Sequence, residues 1–224
     1  MDNLVEYADG AELQMNDIYW EEKVLTGSGT AYGLEFYALK ESGKLTGSLA
    51  YTLSKNIRQF SEINFGEPFP YKYDRRHDLS ITANWQVKKN ISLGAVWVMA
   101  SGINVTTQDH SYYNPLLLGD PAAGAGGVPV NLHSDQDLIR NFSERNGYKL
   151  PMYHRLDVGI NFEKEKKRVD RTWSFGVYNL YSRKNAFYIY SYQGTFEDSQ
   201  MEEKRVYQVT MLPFLPYVRY SIRF

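Results

Sequence analysis

Residues 45–54 alternate without a break, with Leu45, Gly47, Leu49, Tyr51 and Leu53 on one parity and Thr46, Ser48, Ala50, Thr52 and Ser54 on the other. Successive side chains of an extended chain point to opposite faces, whereas a helix brings together residues three and four apart. This run therefore reads as a strand with one apolar and one hydroxyl-bearing side. The pattern returns in Leu79, Ile81, Ala83, Trp85 and Val87 set against Asp78, Ser80, Thr82, Asn84 and Gln86. It returns again at the end of the chain, where Val218, Tyr220, Ile222 and Phe224 alternate with Tyr217, Arg219, Ser221 and Arg223. Further strands read at residues 30–40, 91–101, 154–163 and 172–181, so the expectation is an all-β chain built on seven or eight antiparallel strands.

The connections alternate in length. Glu41-Ser42-Gly43-Lys44, Lys88-Lys89-Asn90 and the charged stretch 164–170 are short, whereas 55–77, 102–153 and 182–216 are far longer than a hairpin needs. In an up-and-down meander this places every long connection at one end, as in outer-membrane β-barrels with short periplasmic turns and long extracellular loops.

A net charge of −1 offers no match to a polyanion, so nucleic acid is not an expected partner. No window approaches 18 consecutive apolar residues, which excludes a transmembrane helix, but a barrel strand needs only about 9–11 alternating residues. The 19 Tyr, 11 Phe and 4 Trp suit a protein that sets amphipathic rings at two membrane interfaces. Zero Cys removes disulfides, thiolate nucleophiles and Cys-ligated zinc. Met1 to Tyr7 lacks the basic and apolar regions of a secretion signal, so a protein of the outer membrane would have lost its front.

Alternation alone does not separate a lipid-facing barrel from a soluble one. The polar face does. A soluble barrel turns that side to bulk water and fills it with Lys and Glu, whereas here it is mostly Thr, Ser, Asn, Gln and Gly, with charge gathered in turns such as Glu163-Lys164-Glu165-Lys166-Lys167-Arg168. Small neutral residues facing a lumen and Trp85, Trp97 and Trp173 facing hydrocarbon fit a sheet whose backbone groups all pair internally.

Three runs carry a family resemblance: Tyr32-Gly33-Leu34-Glu35-Phe36, Gly47-Ser48-Leu49-Ala50-Tyr51-Thr52-Leu53-Ser54-Lys55, and Phe69-Pro70-Tyr71-Lys72-Tyr73-Asp74-Arg75-Arg76-His77-Asp78-Leu79-Ser80. With Tyr153-His154-Arg155-Leu156-Asp157-Val158-Gly159-Ile160 and Gly176-Val177-Tyr178-Asn179-Leu180-Tyr181-Ser182-Arg183-Lys184-Asn185, the chain resembles the distal barrel of Bacteroidetes-type TonB-dependent outer-membrane receptors. The resemblance implies that residues 1–224 are the carboxy-terminal part of a larger receptor barrel, without its plug domain, and that Met1 is an internal start or a truncation. It implies Phe224 as an assembly signal read by the outer-membrane assembly machinery. It also implies outer-membrane lipid as surroundings, the TonB complex as a partner through the missing plug, and a surface lipoprotein beside the receptor where the ligand is a glycan.

The loop 102–153 carries the best ligand-site candidates. Tyr112 and Tyr113 can stack on a sugar ring or a flat chelate, and Asp135, Asp137 and Arg140 supply charge. Asp135 and Asp137 have oxygen-ligand spacing but lack the rest of a calcium loop, so no metal is expected. Asp74-Arg75-Arg76-His77-Asp78 reads as a mutually paired charge cluster that fastens a loop to the wall. Residues 187–192 and 205–210 flank a segment that can extend the sheet as a hairpin. His77, His110, His133 and His154 are scattered, and His154 and Asp157 fall on opposite strand faces, so neither catalysis nor a cofactor is expected.

The function expected from these readings is that of an outer-membrane receptor part for active uptake of an oligosaccharide, a siderophore or a cobalamin-like ligand. A passive pore or a structural or adhesion barrel is the alternative, and a soluble lectin-like β-sandwich a third reading.

Overall fold

The computed structural model describes residues 1–8, 23–113, 138–142, 144–164, 169–195 and 202–223. The chain is all-β, with 68% strand and 3% helix. In order, the strands are β1 (Leu4–Tyr7), β2 (Val24–Lys40), β3 (Leu45–Gln59), β4 (Phe69–Pro70), β5 (His77–Lys88), β6 (Ile91–Ala100), β7 (Asn104–Val105), β8 (Gln108–Tyr113), β9 (Leu138–Phe142), β10 (Tyr148–Lys149), β11 (Tyr153–Lys164), β12 (Asp170–Tyr178), β13 (Ala186–Thr195), β14 (Glu202–Thr210) and β15 (Leu215–Arg223). No helix among these residues is long and apolar enough to cross a membrane.

One antiparallel sheet runs in the order β1-β2-β3-β5-β6-β11-β12-β15, with β4 added to β3. Among the described residues it is an open meander with β1 and β15 at its edges, and no closed barrel is found. Residues 41–44, 89–90 and 165–169 link its strands at one end, and 8–23, 60–76, 101–152 and 179–214 at the other. Two of the long connections carry ribbons of their own. β7 with β10 and β8 with β9 prolong the β6–β11 hairpin, and β13 with β14 forms a separate ribbon between β12 and β15.

The seven strands read from the sequence are present, with shifted ends. β2 begins at Val24 and β3 continues to Gln59, beyond the alternating residues, because Ser28 and Gly29 of β2 pair with Gln59 and Arg58 of β3, Val24 to Gly27 pair with β1, and Ile57 and Arg58 pair with β4. β12 stops at Tyr178 because Asn179 adopts the left-handed conformation, φ 54°, which no strand continues through. Leu4–Tyr7 adds an eighth strand by pairing with Val24 to Gly27.

Register turns the alternation of each strand into two faces of the sheet. Leu49 pairs with Ile81, Ile81 with Trp97 and Trp97 with Leu156. Leu45, Trp85, Leu93, Ile160, Phe175 and Val218 form a second row across six strands. The opposite face carries Ser48, Thr82 and Val96 in one row and Thr46, Asn84 and Gly94 in another. Three Gly residues adjoin on that face, Gly94 beside Gly159 and Gly159 beside Gly176, and Tyr217 stands next to the last.

The buried core is small and sits at the long-connection end, where Phe60, Ile63 and Phe69 pack together with Leu4 and Leu25 against them. A Cβ at Gly27 would overlap the Phe60 ring, so the close approach of β2 to this core requires glycine there. The apolar face of the main sheet is uncovered by contrast: Leu34 is 69% exposed, Trp85 49%, Trp173 47% and Val218 64%.

Candidate functional site

Residues with candidate roles lie in four places. The first is the prolonged β6–β11 hairpin. Tyr112 pairs with Ile139, Tyr113 with Leu138 and Ser111 with Arg140, so the backbone brings Tyr112, Tyr113 and Arg140 onto adjacent positions of one ribbon although the sequence separates them widely. Asp135 and Asp137 lie outside the described residues, as does Phe224.

The second is the Asp74 to Asp78 run where the chain re-enters β5. Arg75 and Asp78 pair at 3.8 Å, both about half exposed. Asp74 is buried and its Oδ1 accepts the Asn56 backbone N–H at 2.7 Å, while Asn104 Nδ2 donates to the carbonyls of Tyr71 at 3.0 Å and Asp74 at 3.3 Å. His77 stacks on Tyr51, its Nδ1 sharing a 2.8 Å hydrogen bond with the Tyr51 hydroxyl. The run thus fastens the loop to the wall chiefly through backbone groups, with one exposed ion pair.

The third place went unnoticed in the sequence. On the polar face of β11, Arg155 Nε donates to Asp157 Oδ2 at 3.0 Å, and its NH1 donates to the hydroxyls of Tyr153, at 2.9 Å, and Tyr178. Its guanidinium also lies 4.0 Å from the Tyr178 ring centroid. The other Asp157 oxygen accepts the Asn179 backbone N–H at 2.9 Å. Buried Asn179 goes on to donate from Nδ2 to the carbonyls of Arg183 at 2.9 Å and Leu212 at 3.3 Å, and so holds both legs of the β13–β14 ribbon. The signal in the sequence is two opposite charges at spacing two, Arg155 and Asp157, on one face of a strand.

The fourth is that ribbon, where Tyr190 pairs with and stacks on Tyr207 at 5.4 Å between centroids, and Tyr188 adjoins at 6.2 Å. Toward the short-turn end, the polar face holds a hollow of about 370 Å³ bordered by Thr46, Thr82, Asn84, Asp157, Asn161 and Tyr217. Tyr217 reaches this hollow from β15 because its ring crosses β12 and its hydroxyl lies over Gly159 of β11.

These features equip the long-connection end with aromatic surfaces and the Arg155–Asp157 ion pair, and the polar face of the sheet mainly with hydroxyl, amide and glycine positions. Comparison with family models, with curated proteins and with solved structures finds no match to this chain.

Proposed function

We propose that the chain is a wall segment of a transmembrane β-barrel in the outer membrane, of the TonB-dependent receptor kind, serving active uptake of an external nutrient such as an oligosaccharide, a siderophore or a cobalamin-like ligand. The observation that carries this reading is register: the apolar parity of seven strands falls on one face that no other element covers, half-buried at its centre and exposed toward β2, β15 and the short turns. A patch of that extent far exceeds what a soluble monomer leaves in water.

Dimensions support it. On the apolar face Tyr51, Leu79, Met99 and His154 form one row, and Ile91, Phe162, Trp173 and Tyr220 another, eight residues further on from His154 to Phe162. At roughly 3.4 Å per residue the rows stand about 27 Å apart along the strands, which strand tilt brings near the apolar band of an outer-membrane barrel. The turns are also staggered. From the row of Gly47, Ala83, Ala95 and Val158, the last pairs Lys40–Gly47, Lys88–Ile91 and Lys164–Arg171 lie zero, four and six residues on. Steady drift of this sort accompanies the strand tilt of a barrel wall.

The receptor part of the proposal rests on the sequence resemblance and on the aromatic ribbons at the loop end, where ligands of a rigid barrel bind. Nitroxide labels placed singly at Ile81 and Thr82 in the membrane-inserted protein test the wall. Ile81 is expected to be accessible to oxygen and Thr82 to a water-soluble nickel chelate, and the reverse pattern would refute the assignment. Uptake that stops when the proton-motive force is collapsed is the expected transport result. Uptake persisting after collapse would indicate a passive pore, and no uptake at all a structural barrel.

A further inference from the structure

The turn after β3 spends conformational energy to display an aromatic ring. Asn64, Phe65 and Gly66 all have positive φ, 51°, 57° and 82°, and Phe65 is fully exposed at 105% of its reference area. Glycine accepts that backbone freely and asparagine tolerates it, but for a bulky aromatic residue it is an outlier. Nothing in the packing calls for the ring, since the neighbouring apolar positions Phe60, Ile63 and Phe69 fill the core without it.

The turn is nevertheless firmly braced. Arg145 N donates to Asn64 Oδ1 at 2.8 Å and Asn64 Nδ2 donates back to the Arg145 carbonyl at 3.5 Å. Gln59 Nε2 donates to the Gly66 carbonyl at 2.8 Å, and the Gly66 and Glu67 amides close onto Ile63 and Asn64 at 3.0 Å each. Arg145 is itself anchored on Glu6 at 3.5 Å and on the carbonyls of Tyr7 and Ala8 at 2.9 Å. Strain upheld by surrounding bonds marks positions with a role other than folding. A rigid exposed aromatic residue is what an interface uses as its central anchor.

Charge narrows the occupant. Glu62 and Glu67 flank the ring in sequence, both exposed and neither ion-paired among the described residues. We propose that Phe65 is a docking knob for a protein partner that presents an apolar socket rimmed by Lys or Arg. The two carboxylates would steer that partner and oppose an anionic lipid surface. This inference does not depend on the barrel or uptake assignment.

The test replaces Phe65 with photoreactive p-benzoylphenylalanine in the full-length protein in its own cells, followed by binding measurements with the purified cross-linked partner. One discrete cross-linked protein is expected. Its binding should weaken on the order of 30-fold with Phe65→Ala. The pair Glu62→Lys and Glu67→Lys should slow association and reverse its salt dependence, so that added salt speeds binding instead of slowing it. Phe65→Gly should keep or raise the melting temperature, since glycine relieves the left-handed strain. No cross-link, or binding indifferent to the charge reversals, would overturn the proposal. So would a lowered melting temperature of Phe65→Gly, which would make the ring structural, or Phe65-dependent binding to phosphatidylglycerol vesicles, which would make the occupant a membrane.

Discussion

Tyr217 shows how much one side chain decides in a sheet that lacks a thick core. Its ring lies across the glycine row on the polar face. A Cβ at Gly176 would run into that ring, and one at Gly159 would come within 2.8 Å of its hydroxyl. Gly94, one strand further, has open space above it, so the ring fills two of the three places. β15 is thereby held in one register against β12, since a slip of two residues would put Arg219 or Leu215 over the glycines. We expect Gly176→Val to cost about 1–3 kcal/mol through overpacking. Tyr217→Ala should restore much of that loss when combined with it, because the clash and the ring disappear together. Urea unfolding of the two single variants and the double variant in lipid vesicles gives the coupling, and strictly additive losses would contradict the contact. The parity of these residues was legible in the sequence, as Gly159, Gly176 and Tyr217 all sit on hydroxyl-side positions. Their adjacency was not, because it depends on the registers of hairpins whose turns carry no marker of how many residues pair. Asn179 was equally hidden. It stands at the end of an alternating run and looks like one more strand residue, yet its amide satisfies backbone groups that only the tertiary fold brings together.

At the scale of elements, strands with a clean binary pattern are legible in the sequence, and so is the hairpin of residues 187–192 and 205–210, present as β13–β14, whereas β1, β4 and the early part of β2 are not. β2 runs back through Gly27, Ser28 and Gly29, residues that read as loop but pair with Arg58 and Gln59 of β3 or with β1. The ribbon β8–β9 pairs within itself rather than with the main sheet, so no buried face imposed an alternation on it. For the same reason the candidate binding residues were only partly legible: Tyr112, Tyr113 and Arg140 converge on one ribbon, but nothing in their spacing announces it. β1 has only four residues and depends on its side chains. Glu6 accepts from Arg58 at 3.1 Å and faces Arg145 at 3.5 Å, while the Arg58 guanidinium rests 3.7 Å from the centre of the Tyr71 ring. One carboxylate therefore ties β1, the end of β3 and the turn before β10. With these groups only partly exposed, Glu6→Ala should cost about 1–2 kcal/mol, more than an open surface pair. Amide hydrogen exchange should quicken in residues 4–7 and 57–66 and stay unchanged in β11 and β12. Uniform protection in the variant would mean that the pairings hold β1 without the carboxylate.

The whole molecule poses a closure problem. Eight strands are enough for the smallest membrane barrels, yet the two edges of this sheet do not match. Among the described residues β1 offers four and β15 nine, so joining these two strands would leave about half of β15 unpaired. In water such an edge is a template for aggregation, and in hydrocarbon each unpaired backbone group costs several kcal/mol. Among the described residues the sheet is open, apolar on one face and polar on the other, with edges of unequal length; under the proposed function those edges would be paired by further strands of a wider barrel. The chain produced by itself should therefore fail to form the compact species that gives closed barrels their altered mobility in unheated electrophoresis samples. Cysteines at Val5 and Tyr220, one on each edge strand, should not cross-link within one molecule. Should the lone chain show heat-modifiable migration together with that cross-link, the eight strands would close on themselves, and the protein would be a small barrel in its own right. Aggregation of the lone chain combined with stable insertion of a longer protein containing it would place the missing partner of β15 in the rest of that protein, because only another strand satisfies a row of backbone donors and acceptors at that depth.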